Sequence, residues 1–323
     1  MYPTIASLFL LLASCDFSVA QSAGTQEHPY PDSVLIAVHD MAVDAGTASY
    51  MILHDGVEVD AYGDVTEPVL VQSVRKSVLS MLIGMAHDRG EIDLEMTLGE
   101  LGMDDLEPLS DAEKQATVQD LLTARSGVYH PAAASTPHML ATLPPREQHL
   151  PGTFFLYNNW DFNVLGSIYR QQTGRDIFQA LYDDLAVPLG LHDFLPEHGL
   201  YFYEDMSEHP AYHMRLSTRD MATLGQLTLQ EGQWDGKQLI SEAWIAESTD
   251  TWSDGQYGYM WWTNIPGIPA DVRSYAARGG DGHFLLVVPD WKLVFVHRVP
   301  MDRAHTINWG HVIRMIRTLN DWR

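Results

Sequence analysis

The sequence predicts a fold of the α/β (α+β) kind: an antiparallel sheet built from both chain ends, flanked by helices, with a large helical insertion. Three observations carry this. Toward the N-terminus, the apolar runs at 49–54 and 57–61 flank Asp55-Gly56, a strong hairpin signal because both turn positions favour positive φ. Toward the C-terminus, 283–288 and 292–297 flank Pro289-Asp290-Trp291 in the same manner. Between the two pairs, apolar residues recur at helical spacing. Isolated hairpins are marginal in water, so the economical solution joins the two ends into one sheet. The sheet part is expected over about 33–72 and 255–323, and the helical part over about 73–254.

The front of the chain reads as an address. Residues 5–13 form an apolar run too short to span a bilayer, which needs about 20 residues. It has the look of a secretory h-region, so residues 1–20 are set aside as a signal peptide or lipoprotein signal. Two processing readings stay open. Ser18-Val19-Ala20 offers small residues for cleavage before Gln21, while Leu12-Ala13-Ser14-Cys15 resembles a bacterial lipobox with lipidation at Cys15. Either implies export to the bacterial periplasm or envelope, with membrane contact only through an N-terminal lipid anchor.

Further along, Val78, Leu79, Leu82, Ile83, Met85 and Ala86 describe a helix apolar around most of its circumference, hence buried. A helix over 117–124 has Thr117 as its N-cap. Another over 162–171 runs into Thr173-Gly174, a stop signal. A helix over 214–229 precedes Trp234-Asp235-Gly236-Lys237, a tight-turn signature. Val312, Met315, Ile316 and Leu319 close the chain with an amphipathic helix.

Composition narrows the functions. At 323 residues and 46% hydrophobic, the chain is globular, with one domain or two interlocked ones. A net charge of −24 argues against a phosphate-backbone partner, which needs clustered Lys and Arg. The single cysteine excludes an internal disulfide framework or thiolate cluster. No His-Glu-x-x-His occurs, and His192, His198, His209 and His213 are scattered, so no metal is expected. Glycines 279, 280 and 282 precede a strand rather than linking strand to helix, so no dinucleotide cofactor is expected either. The oligomeric state stays open.

The sharpest chemical feature is Ser73-Val74-Arg75-Lys76 at the opening of the buried helix. Positions i and i+3 share a helical face, so hydroxyl and amine can meet. Serine is a weak nucleophile at neutral pH and needs a base, and lysine serves only if its pKa is lowered. Burial and a neighbouring cation act in that direction. Taken alone, this spacing arises often by chance. Two further pieces follow it: Tyr157-Asn158-Asn159, and Ala277-Arg278-Gly279-Gly280-Asp281-Gly282 at a strand entrance. By themselves these read as a core Tyr beside turn asparagines, and as a bulge or loop. The segment 257–262 is read as a packed core strand, or else as a lining of the pocket, and Ser126-Gly127 as a helix-to-loop corner.

The order and spacing of the three pieces resemble the serine beta-lactamase and penicillin-binding-protein superfamily, in its class C-like branch. That branch includes esterases and 6-aminohexanoate-dimer hydrolases. The resemblance runs from about Ser33 to the C-terminus, supported by Val118-Gln-Asp-Leu-Leu-Thr-Ala-Arg-Ser126-Gly127, Pro188-Leu-Gly-Leu191 and Val287-Val288-Pro289-Asp290. It implies a beta-lactamase/transpeptidase-like fold and a serine hydrolase acting through a covalent acyl-enzyme on small amides or esters. Carried over, Ser73 is the nucleophile, Lys76 its base and Tyr157 the proton shuttle. Asn159 orients substrate or Lys76, and the oxyanion hole uses the N–H groups of Ser73 and Gly280, with Gly279 allowing close backbone approach. One departure matters: the Lys or His that opens the third motif of penicillin-recognising members is Ala277 here. This argues against a true beta-lactamase or D,D-peptidase, and leaves Arg278 as the candidate carboxylate contact. It also motivates a rival expectation, a non-catalytic ligand-binding or sensor protein on the same fold.

Overall fold

A computed structural model of the protein describes residues 28–253, 256–301 and 309–321. The apolar run at 5–13, Cys15 and Ser18-Val19-Ala20 lie outside the described residues. The chain enters with helix α1 (Asp32–Ala45), the hairpin β1 (Ser49–His54) and β2 (Val57–Gly63), the short β3 (Val69–Leu70) and helix α2 (Val74–Asp88). The middle holds α3 (Val118–Leu122), α4 (Pro137–Ala141), α5 (Asn159–Thr173), α6 (Ile177–Leu181) and α7 (Val187–Leu189). A strand pair, β4 (Gly199–Glu204) and β5 (Ser207–Leu216), then leads into α8 (Thr218–Leu229). A small hairpin, β6 (Gln233–Trp234) and β7 (Lys237–Gln238), and α9 (Glu242–Ser248) follow. The chain returns through β8 (Trp262–Thr263), β9 (Tyr275–Arg278), β10 (Phe284–Val288) and β11 (Leu293–Arg298), and ends in α10 (Trp309–Asp321).

Both chain ends meet in one antiparallel sheet ordered β2-β1-β11-β10-β9-β8. The junction is β1 against β11, in register from Ser49 opposite Arg298 to His54 opposite Leu293. Asp55 and Gly56 turn the first hairpin at φ of 53° and 79°, the left-handed pair that the dipeptide signals. Strand alternation sends Tyr50, Ile52, Leu286 and Phe295 to one face, against α1 and α10. Met51, Leu53, Val294 and Val296 go to the other face, into the larger core that contains α2, α5 and α8. Val312, Met315, Ile316 and Leu319 of α10 are all buried, as their spacing predicts. In α2 every residue from Val74 to Ala86 is buried. Among the described residues no helix is long and apolar enough to cross a membrane.

Two expectations need correction. The helix expected from 214 begins only at Thr218, because the Ser217 hydroxyl caps it by accepting from the Asp220 N–H at 3.1 Å. Met214 and Leu216 are instead buried strand residues of β5, whose inward alternation imitates the head of an apolar helix. Tyr257, Tyr259, Met260 and Trp261 are buried but irregular, with Met260 at φ 62°, and strand geometry resumes only at Trp262. The helix α1 and the β3-β5-β4 sheet were not foreseen.

Candidate active site

The strand-to-helix corner at Val71-Gln72-Ser73 is tightly determined. Val71 donates its N–H to Met214 O at 3.1 Å, and its own carbonyl accepts the Val74 N–H at 3.1 Å. Gln72 is left-handed at φ 51°, a conformation that costs a non-glycine residue about 1–3 kcal/mol and gathers at functional sites. Ser73 then opens α2 with no side-chain capping bond, so its hydroxyl is left for other partners.

One turn on, Lys76 is 1% exposed. Its amine lies within hydrogen-bond distance of Tyr157 Oη at 2.6 Å, Asn159 Oδ1 at 2.7 Å and Ser73 Oγ at 3.2 Å. The amine also lies 4.4 Å from the centre of the Phe162 ring. Burial, and after it the charge on Arg75, pull the Lys76 ammonium well below the usual lysine range. Burial raises the Tyr157 phenol, while its hydrogen bond with Ser73 and the charges of Arg75 and Arg278 act the other way. Asn158 caps α5 by accepting from the Asp161 N–H at 2.9 Å, which fixes the next residue, Asn159. The Asn159 amide NH2 donates to Ala134 O at 2.7 Å, and this orients its carbonyl oxygen toward Lys76.

Strand β9 brings the glycine run to the same corner. A Cβ on Gly279 would stand 2.6 Å from Val71 O and 2.8 Å from the His283 Cβ, so only glycine fits there. The Gly279 N–H is tied to His283 O at 2.8 Å and is not available to a ligand. Among the described residues, the N–H groups of Ser73 and Gly280 donate to no acceptor, and Gly280 is exposed beside Gln72. Ala277 points into the larger core. Arg278 leaves the strand on the opposite side, its guanidinium carbon 4.7 Å from the Trp262 ring centre and 4.1 Å from that of Trp309. Trp262 in turn packs on Tyr157, ring centres 5.3 Å apart. Arg278 therefore stands at the aromatic edge of the site without a hydrogen bond or ion pair among the described residues.

Ser73, Lys76, Tyr157 and Asn159 thus form one connected cluster, with Gly279 and Gly280 against it and Arg278 at its margin. Ser126, by contrast, gives its hydroxyl to Asp161 Oδ1 at 2.6 Å as part of a buried corner. His209 and His213 lie on β5 rather than on a helix, and His209 is held by Ser167 Oγ and Asp104 O. Reading the sequence missed Trp309, and offered Trp262 only within a segment read as a core strand or else as a pocket lining. It also missed Tyr212, whose ring lies under Arg75.

The family model described as Beta-lactamase matches residues 38–297. Penicillin-binding protein 4 of Amycolatopsis lactamdurans is 26% identical over 81% of this chain and 79% of its own. Among solved structures, a 6-aminohexanoate-dimer hydrolase so described from Bacillus anthracis superposes at TM-score 0.65 with 20% identity, covering 88% of this chain and 82% of that one. A family VIII carboxylesterase does so at TM-score 0.66 with 15% identity, covering 90% and 98%. At these identities the superpositions speak to the fold, whereas the family match spans most of the chain from α1 to β11. The chain belongs to the beta-lactamase family.

Proposed function

We propose that the protein is a serine hydrolase that cleaves small amides or esters through a covalent acyl-enzyme. The observation that carries this is the Lys76 amine, desolvated and bonded at once to the Ser73 hydroxyl, the Tyr157 phenol and the Asn159 carbonyl oxygen. A lysine surrounded this way is a base, because burial favours its uncharged form.

In the proposed cycle, Ser73 Oγ attacks the substrate carbonyl as its proton passes to uncharged Lys76. The N–H groups of Ser73 and Gly280 receive the negative charge that develops on the carbonyl oxygen. The proton then moves from Lys76 through the Tyr157 hydroxyl to the leaving nitrogen or oxygen as the carbonyl–leaving-group bond breaks. Water repeats the sequence in reverse roles and frees Ser73. Asn159 holds the Lys76 amine in line. Arg278, with its donors unpaired among the described residues, is assigned to a carboxylate on the substrate. A cavity of about 170 Å³ beside Tyr157 and Asn159, lined by Met139, Leu140 and Leu143 and by the polar His130, Ser135 and Thr142, suits a small substrate. The proposal includes export to the bacterial periplasm or envelope, resting on the N-terminal apolar run alone.

The test is turnover on parallel panels of short-chain esters and short amides, for the parent protein and Ser73→Ala. Turnover lost in Ser73→Ala supports the reading. Tight binding without turnover on either panel would instead support the rival, a ligand-binding protein on the same fold.

A further inference from the structure

A second buried cation precedes Lys76 by one residue. Arg75 is 2% exposed, and its guanidinium carbon lies 4.5 Å from the centre of the Tyr212 ring. Its Nε and Nη1 have no hydrogen-bond partner among the described residues, nor does it enter any ion pair there. Acids are not scarce, since the chain has 43; Arg219 pairs with one, and Arg89, Arg146 and Arg175 each pair with two. Arg298 makes the sharper contrast. It is equally buried at 1%, yet it donates to Leu216 O at 2.7 Å, Val69 O at 3.0 Å and His283 Nδ1 at 3.1 Å. That is how a structural arginine is accommodated. An uncompensated one is costly, and a methionine would fill comparable space without the charge.

The groups facing Arg75 and Lys76 offer no counter-ion. From the α5 side come Tyr157 and Asn159, and from β5 Tyr212 and His213; of the β9 residues Arg278 is turned away to Trp262 and Trp309, and α6 carries no titratable side chain. His213 feels both cations, and burial first, then these charges, push it down to about 4, so it is neutral. Asp161, the acid on α5, is turned to Ser126, and burial raises it to about 8. Among the described residues the charge that bears on Lys76 is therefore the positive one of Arg75.

We propose that Arg75 is a positioning residue for acyl transfer: its uncompensated guanidinium holds neighbouring Lys76 in the uncharged form that can accept the Ser73 proton. The inference rests on the acyl-enzyme reading above. Arg75 meets no substrate and acts only through Lys76.

The test is the rate of fluorophosphonate labelling of Ser73 from about pH 5 to 11.5, a window spanning ordinary and lowered lysine pKa values. Three proteins are compared: the parent, Arg75→Met and Arg75→Lys. The parent should gain reactivity at a pH well below the ordinary lysine range. In Arg75→Met this rise should move up by about one to three pH units, the usual effect of one nearby charge, with reactivity regained at alkaline pH. Arg75→Lys, which keeps a cation, should follow the parent. A rise that stays put in Arg75→Met, or an equal loss at every pH, would overturn the proposal. Should Arg75→Met fail to fold, Arg75→Lys decides: a rise displaced by a full unit despite the retained charge would overturn it as well. A parent protein with no label on Ser73 would remove the acyl-enzyme reading itself, whereas label with an unmoved profile removes only the role of Arg75.

Discussion

Lys76 and Asp161 sit at the starts of α2 and α5, both wholly buried, and burial drives both toward neutrality. The lysine falls well below its usual range, and the acid rises to about 8. Their surroundings then diverge. Lys76 reaches two hydroxyls and an amide oxygen, two of which belong to side chains that can carry a proton onward. Asp161 accepts one bond from Ser126, and its other oxygen has no partner among the described residues, so it lies in a closed corner. The lesson is that a shifted pKa is common to core and site alike. A chain of partners leading from the shifted group to a nucleophile distinguishes the site.

The comparison breaks most visibly at Lys76. Replacing it with Ala should slow acylation by about 10²–10⁴, the usual worth of a positioned general base, on amides and activated esters alike. Pre-steady-state measurement of the acylation step checks this, and an unchanged rate would put the base elsewhere.

Tyr157→Phe should separate the two substrate types. An amide must expel an amine and depends on a delivered proton, while a nitrophenyl ester expels a stable phenolate and hardly does. Amide kcat/KM should fall strongly and activated-ester kcat/KM much less, since that ratio reads the loss in transition-state stabilisation. Equal losses would recast Tyr157 as a partner that only tunes Lys76.

The smallest effect belongs to Asp161, and it concerns stability. Its folded pKa of about 8 lies above the unfolded 3.8, so the folded state keeps a proton that the unfolded chain releases between those values. Its contribution is therefore greatest below pH 4 and declines as pH rises toward 8. Asp161→Asn removes that decline. Denaturant midpoints for parent and variant should converge near pH 4 and separate in the variant's favour by pH 8. A constant offset would show that Asp161 is ionised in the fold.

Much of this architecture is legible in local chemistry. Asp55-Gly56, the Thr117 capping box and the spacing of α10 each state their structure within a few residues, because turn, cap and amphipathic face are local demands. The site was legible as an ordered set of short motifs, made specific only by their joint resemblance to a family. What escaped is what depends on the fold closing. Met214 and Leu216 read as helical until Ser217 is seen to start the helix. Ala277-Arg278 gives no hint that Trp262 and Trp309 close over the guanidinium from opposite sides in sequence. Arg75 stands out in the sequence only as a cation beside Lys76, and nothing nearby reveals that it pairs with no acid among the described residues.

The central claim is that Ser73 is the group that becomes acylated. Treating the folded protein with a fluorophosphonate and sequencing its peptides by mass spectrometry tests that directly. The account predicts one covalent adduct, on the peptide carrying Ser73, that is absent from Ser73→Ala and strongly slowed in Lys76→Ala. A folded protein with no adduct, or with the adduct on Ser126 or another serine, would contradict it.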